Sequence, residues 1–284
     1  MTTSSDLASC ASMKVLNLKQ DPGLKDAMDA DALSLSKLLQ TSMLRMTGEF
    51  LNEVAGTVDY LAFRLSQDYR QYGVLASRLQ DVDVSKLNNN QRMAFFINVY
   101  NALTVDSLCH LKTLPASTLD VENFWTTNAY LIGPHTYTLD QIEHGILRGN
   151  KAHPSSGTPV LSPADPRQEH RLPNLDPRIH FALNCGAKTC PVVRVYSESN
   201  LEAVLETATN SYLLQEVQVT EGVLKLPQIL EWYQQDFADD QEGMLRWIQV
   251  YVDEAASAAI TDILTPDVTG PKIQYFYDWS LNTA

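Results

Sequence analysis

The chain has 284 residues, 34 acidic against 21 basic, a net charge of −13 and a hydrophobic fraction of 44%. That is enough apolar material for a sizeable core. An acidic balance without a lysine- or arginine-rich patch argues against nucleic acid or an anionic membrane as partner, since both are bound chiefly by neutralising negative charge.

No run approaches the ~18 apolar residues of a membrane span, so no membrane insertion is expected. Met1-Thr2-Thr3-Ser4-Ser5-Asp6 has neither the basic start nor the apolar run of a signal peptide, and a cytoplasmic location follows as the expectation. The four cysteines, at 10, 109, 185 and 190, do not read as a disulfide framework in a chain this long.

Residues 1–30 are polar and unpatterned and read as a mobile arm, with one short element at 13–18. Asp31 is placed to cap a helix running to about Leu51, and a second helix is expected over 61–79, after a short extended piece at 58–60. Asn88-Asn89-Asn90 then opens the strongest helix, to about Leu111. Its centre, Met93 through Leu103, is apolar on every face, as in a buried helix. Asn98 and Asn101 interrupt it on neighbouring positions of one face, and buried amides must find partners.

Residues 129–137 read as a hairpin turning at Gly133-Pro134. Thr138-Leu139-Asp140-Gln141 has capping-box spacing for a helix carrying Glu143, His144 and Arg148 and ended by Gly149. Residues 150–177 hold six prolines and no apolar periodicity, which suits a loop or lid.

Arg178 to Pro191 is the densest stretch of chemistry. Ile179, Phe181 and Leu183 alternate with His180, Ala182 and Asn184, a strand-like period, and Cys185 and Cys190 bracket a turn at Gly186. Beyond it come a helix over 197–213, a hairpin turning at Glu221-Gly222, helices over 227–237 and 241–264, and an aromatic tail expected to dock into the core. The expected fold is α+β: mainly helical, with a small, mostly antiparallel sheet carrying the 178–184 strand. One domain over 31–284 is expected, with a papain- or transglutaminase-like layout as an analogy for the thiol and histidine.

The run Phe95-Phe96-Ile97-Asn98-Val99-Tyr100-Asn101-Ala102-Leu103 resembles the signature of the uncharacterised domain-of-unknown-function family numbered 547. Ile142 to Arg148, Asp176 to Cys185 and Tyr277 to Asn282 are similar to its later blocks, in the expected order. The resemblance spans roughly 88–282 and implies a portable domain whose activity is not established. It also implies that Cys185 is the more general of the two thiols, since the position of Cys190 is often serine in that family. Bacterial members often look exported, from which this N-terminus departs.

Two readings remain open. A cysteine-dependent acyl or amide hydrolase or transferase needs a thiolate, an activating histidine, an orienting group and oxyanion donors. Cys185, His180, Asn101 and Asn98 are the catalytic candidates, with backbone N–H groups of the glycine turn as oxyanion donors and Lys188 to lower the thiol pKa. Arg178, His144 and Arg148 are the ligand-binding candidates, the two arginines suiting a carboxylate- or carbonyl-bearing small molecule or peptide-like ligand. His180 and Cys185 lie five apart, so on one straight strand they face opposite ways; either the chain turns by Asn184 to bring them together, or His144 or His135 is the base. The other reading is a non-catalytic binding or scaffolding module with a buried Asn/His/Arg network. No cofactor is expected, and a metal set of His180, Cys185 and Cys190 lacks a fourth ligand.

Overall fold

A computed structural model describes residues 13–18, 31–55 and 57–283. Of the expected N-terminal arm, only 13–18 is among them, and Lys14–Val15 there forms strand β1. Helix α1, Ala32–Glu49, starts where the Asp31 carboxylate accepts the Ser34 N–H, and it buries Leu35, Leu39, Met43 and Met46 at helical spacing. Strands β2 (Leu51–Asn52) and β3 (Thr57–Val58) pair antiparallel. The helix expected over 61–79 is two, α2 (Tyr60–Leu65) and α3 (Gln67–Ser77). Ser66 divides them: its backbone is extended and its hydroxyl caps α3 through the Tyr69 N–H.

Helix α4, Asn89–Cys109, opens with a complete Asn88/Gln91 capping box and is buried along nearly its whole length, with α1 packed against it. The short helix α5 (Phe124–Thr127) leads into the hairpin of β4 (Asn128–Ile132) and β5 (His135–Thr138). Gly133 takes φ +54° at its turn, and β1 adds to β4 in parallel. The Thr138/Gln141 box forms as read, but it starts a π-helix, Gln141–Leu147, rather than an α-helix. The wider turn is visible in the Arg148 N–H, which bonds the Glu143 carbonyl five residues back. Such turns recur at functional sites.

The stretch expected to be a strand is a 3₁₀ turn, Pro177–Phe181. Asp176 accepts the Arg178 N–H as its cap, and Pro177 occupies the first helical position, where a missing N–H costs nothing. The chain turns there instead of joining a sheet, so His180 and Cys185 escape the opposite-face constraint of a straight strand.

Helix α6 (Leu201–Glu216) is followed by β6 (Gln218–Thr220) and β7 (Val223–Pro227), joined through Glu221 and Gly222, both at positive φ as a two-residue hairpin turn requires. Next come α7 (Ile229–Trp232) and α8 (Gln234–Phe237). The long helix expected over 241–264 is broken into α9 (Gln241–Ile248) and α10 (Glu254–Leu264), because the Asp253 side chain caps the second. Strand β8 (Lys272–Phe276) pairs in parallel with β7. The fold is therefore mainly helical α+β as expected, with small sheets in which three of the five described strand pairings are antiparallel and two parallel. No described helix is long and apolar enough to cross a membrane.

Two apolar clusters form the interior, one around α1 and α4 and the other around α6–α10 and β7. The 3₁₀ turn joins them: Ile179 is buried in the first and Phe181 in the second. The tail docks as expected, with the Leu281 N–H on the Ala116 carbonyl and the Lys188 N–H on the Ser280 carbonyl.

Candidate active site

The two asparagines of α4 set the position of the segment that follows the 3₁₀ turn. Asn101 donates to the Ala182 carbonyl at 2.9 Å and accepts the Asn184 N–H at 2.8 Å. Asn98 treats Tyr196 the same way, at 2.8 and 2.9 Å. Each amide acts as a neighbouring strand would, pairing one donor and one acceptor of irregular backbone that would otherwise be buried unpaired. Neither asparagine lines the cavity described next, so their part in the site is positional.

A cavity of about 1000 Å³ opens between the two clusters, lined by Tyr100, Glu143, His144, His180, Cys185 and Tyr233 among others. Residues 153–156 of the proline-rich segment also border it, and Asn150 closes that loop by bonding both backbone groups of Leu161. Tyr277 and Trp279 bring the aromatic tail into the same wall.

Glu143 is buried and accepts the hydroxyls of Tyr100 at 3.0 Å and Tyr233 at 2.6 Å. Burial pushes its pKa up, but His144, the Tyr233 hydroxyl, His180 and Tyr100 together hold it below the usual carboxylate value. His144 has its own pKa lowered to about 4, by burial first, against the opposing pull of Glu143. It is uncharged at neutral pH, so there the two tyrosine hydroxyls are the partners that keep Glu143 ionised.

Arg148 fixes the tautomer of His144. A guanidinium can only donate, and its Nη1 lies 2.9 Å from His144 Nδ1. Nδ1 must therefore accept, which leaves the hydrogen on Nε2. The ligand atoms of Asp140, His144 and His153 lie within 4.8 Å of one another, a grouping that suggests a metal site. In this tautomer, however, His144 presents an N–H there, not a lone pair. Asp140 Oδ1, 3.6 Å from His144 Nε2 and 3.2 Å from His153 Nε2, is the acceptor between two imidazoles.

The rest of Arg148 binds Asp236, through Nε at 2.6 Å and Nη2 at 3.1 Å. Asp236 also takes His180 Nε2 at 2.9 Å. Burial raises the Asp236 pKa, yet the hydrogen bonds from His180 and Arg148 bring it well below the usual range. With Nε2–H held by a carboxylate and the ring stacked 3.9 Å over Tyr233, neutral His180 has its lone pair on Nδ1.

Cys185 and Cys190 have their Sγ atoms 2.7 Å apart, and the Tyr277 hydroxyl stands 3.5 and 3.2 Å from them. The Cys185 N–H points at Cys190 Sγ at 3.1 Å. The hydrogen bond to Cys190, then burial, pushes the Cys185 thiol up. Burial opposes ionisation of Cys190, but the hydrogen bonds from Cys185 and Tyr277 bring its pKa below the ordinary thiol value. Of the two thiols, Cys190 is therefore the one whose ionisation is favoured.

Cys185, His180 and His144 converge on the cavity; the remaining candidates do not. Arg178 is tied at the surface to Asp176, Glu202 and Glu206. Arg148 lies behind His144, occupied by Asp236. No arginine or lysine is among the described lining residues, which include Glu122, Asp140, Glu143 and Glu231. The arginine pair expected for a carboxylate ligand is therefore not in this wall. Lys188 is exposed. The Gly186 N–H is taken by the Asn184 side chain and the Cys185 N–H by Cys190, so the turn is a poor oxyanion hole. Asp236, Tyr100, Tyr233, Tyr277 and His153 were not legible as site residues, because their partners lie far away in the chain.

Residues 84–213 match the model of the family described as "Protein of unknown function, DUF547". That stretch contains α4, the π-helix and the Cys185/Cys190 turn, and the chain is similar to the family over it; Asp236 and Tyr277 lie beyond it. No curated protein and no solved structure matches the chain.

Proposed function

We propose that the cavity is the active site of a thiol-dependent acyl- or amide-transfer enzyme, a hydrolase or transferase, with Cys185 as nucleophile. The observation that supports this most is the placing of the Cys185 thiol in one cavity wall with His180, an imidazole oriented through its far nitrogen by Asp236. Cysteine, histidine and an orienting carboxylate are the parts of a nucleophilic triad. A papain- or transglutaminase-like arrangement is proposed on these three roles alone.

The proton rests on Cys185, and its removal frees the Cys185 thiolate to attack a carbonyl. His180 accepts the thiol proton and delivers it to the leaving group, while ionised Glu143 stabilises the imidazolium formed in between. The His144 N–H, held neutral and in one tautomer, and the Tyr277 hydroxyl are the donors available to a developing oxyanion. The acidic, aromatic lining favours neutral or cationic acyl donors.

The test is incubation with p-nitrophenyl esters and acyl thioesters, followed by mass spectrometry of tryptic peptides. A stable acyl group on Cys185 is expected, lost in Cys185→Ala and formed about 10²–10⁴-fold more slowly in His180→Gln. A Cys185 thiol inert to these reagents and to iodoacetamide from pH 6 to 9 would overturn it.

One observation favours a binding module instead: among the described residues, no histidine is within hydrogen-bond reach of Cys185. On that reading the cavity binds a neutral or cationic small molecule or peptide-like ligand, and Cys185→Ala keeps full affinity.

A further inference from the structure

We infer that Cys185 and Cys190 are a dithiol–disulfide pair, loaded through the cavity by small-molecule disulfides, whose oxidation caps the nucleophile of the proposed acyl transfer. The capping consequence rests on that proposal; the pairing does not.

Three observations carry it. The sulfurs are already 2.7 Å apart, so a bond of ~2.05 Å needs only a small side-chain adjustment. A tight turn holds them there. The Cys190 N–H bonds the Ala187 carbonyl, and Gly186 sits at φ +89°, where a Cβ would press on Leu281, Thr118 and Leu108. Access is also unequal. Cys185 lines the cavity of about 1000 Å³, whereas Cys190 borders a separate dimple of about 30 Å³, room for little more than a water. A reagent the size of a tripeptide disulfide therefore meets Cys185 first. The third described cysteine, Cys109, is buried elsewhere in the first cluster.

The chemistry is two successive exchanges. The Cys185 thiolate attacks one sulfur of a small disulfide RSSR, forming Cys185–S–S–R and expelling RS⁻, which takes up the proton Cys185 has lost. Cys190 then attacks Cys185 Sγ. The Cys185–Cys190 bond forms and the second RS⁻ leaves, protonated by the proton of Cys190. Two protein thiols are oxidised and one disulfide is reduced to two thiols. The Cys185 N–H and the Tyr277 hydroxyl support the charge that develops on Cys190 as it resolves the mixed disulfide.

The sequence offers a clean readout, because Lys188 lies between the two cysteines and Arg178 and Arg194 flank them. Trypsin cuts the reduced, alkylated chain into 179–188 and 189–194. After the full chain is treated with oxidised glutathione and quenched in acid, these two peptides should appear joined, and dithiothreitol should separate them. Cys190→Ala should hold one glutathione on Cys185. Cys185→Ala should take glutathione on Cys190 at least on the order of tenfold more slowly than Cys190→Ala takes it on Cys185. Independent glutathione adducts on both cysteines of the wild type, without the joined peptide, would overturn the inference. So would equal rates in the two variants. If a variant fails to fold by circular dichroism, the wild-type digest decides alone. A joined peptide without any acyl-enzyme leaves the pair standing and removes the acyl-transfer reading; an acyl-enzyme without a joined peptide does the reverse.

Discussion

Asp106 and Glu143 are both buried carboxylates held by tyrosine hydroxyls, and only one of them faces a cavity. Asp106, near the end of α4, accepts from Tyr69 and from Tyr130 at 2.7 Å, and Tyr130 in turn accepts from Tyr72 at 2.7 Å. His110 closes the ring at 3.3 Å, and the Tyr69 and Tyr72 rings stack on each other. The hydroxyls of Tyr100 and Tyr233 serve Glu143 in the same way, but the rings that carry them line about 1000 Å³ of open space. A satisfied carboxylate is therefore not by itself a site. Access to a reacting molecule separates the two, and it comes from where α7, α8 and the aromatic tail pack.

The sharpest way to break this comparison is to neutralise each carboxylate in turn. Glu143→Gln should slow acylation of Cys185 by about 10²-fold or more while costing modest stability, as expected for a charge that acts in the reaction. Asp106→Asn should cost about 3 kcal/mol in urea denaturation, from weakened charge-assisted hydrogen bonds, and leave the acylation rate of the folded protein unchanged. Equal losses of stability with no kinetic difference would remove the distinction.

Acid should destabilise the cavity side first through His144. His144 titrates near 4 in the folded chain against ~6.5 unfolded, so the unfolded state binds the extra proton between those values. Its contribution to stability is then full above about pH 6.5 and is lost as pH falls toward 4, roughly 3 kcal/mol in all. Glu143 and Asp236, with lowered pKa values, add losses only below about pH 4. The difference in melting temperature between wild type and His144→Gln should shrink from pH 7 to pH 4.5; a constant difference would count against it.

The clamps come next in size. Asn101→Leu leaves the Ala182 carbonyl and Asn184 N–H without partners and should cost about 1–3 kcal/mol, with Cys185 acylation slowed because the turn it sits on is released. An unchanged melting temperature would argue against the clamp. The smallest effect belongs to Lys151, the third partner of Asp236, whose side chain is half exposed at 49%. Lys151→Ala should change stability by less than about 1 kcal/mol, with no change in rate.

Much of this protein follows from local sequence. The caps at Asp31, Asn88 and Thr138, the hairpin turns at Gly133 and Gly222, and the all-apolar centre of α4 were legible because each rests on side chains within a few residues of the backbone they satisfy. His180, Cys185 and His144 stood out for the same reason, as reactive groups inside apolar runs. The same local view failed at Pro177–Phe181, where alternation suggested a strand, although Asp176 and Pro177 already carried the signal of a capped turn. Tertiary structure decided the rest. Asp236 is 56 residues from His180 and 88 from Arg148, and Glu143 finds its tyrosines 43 and 90 residues away. Nothing near those residues in the chain marks the pairing. A buried charge is stabilised by whichever partners the fold brings within about 3 Å, and that depends on how two hydrophobic clusters meet rather than on any one stretch of sequence.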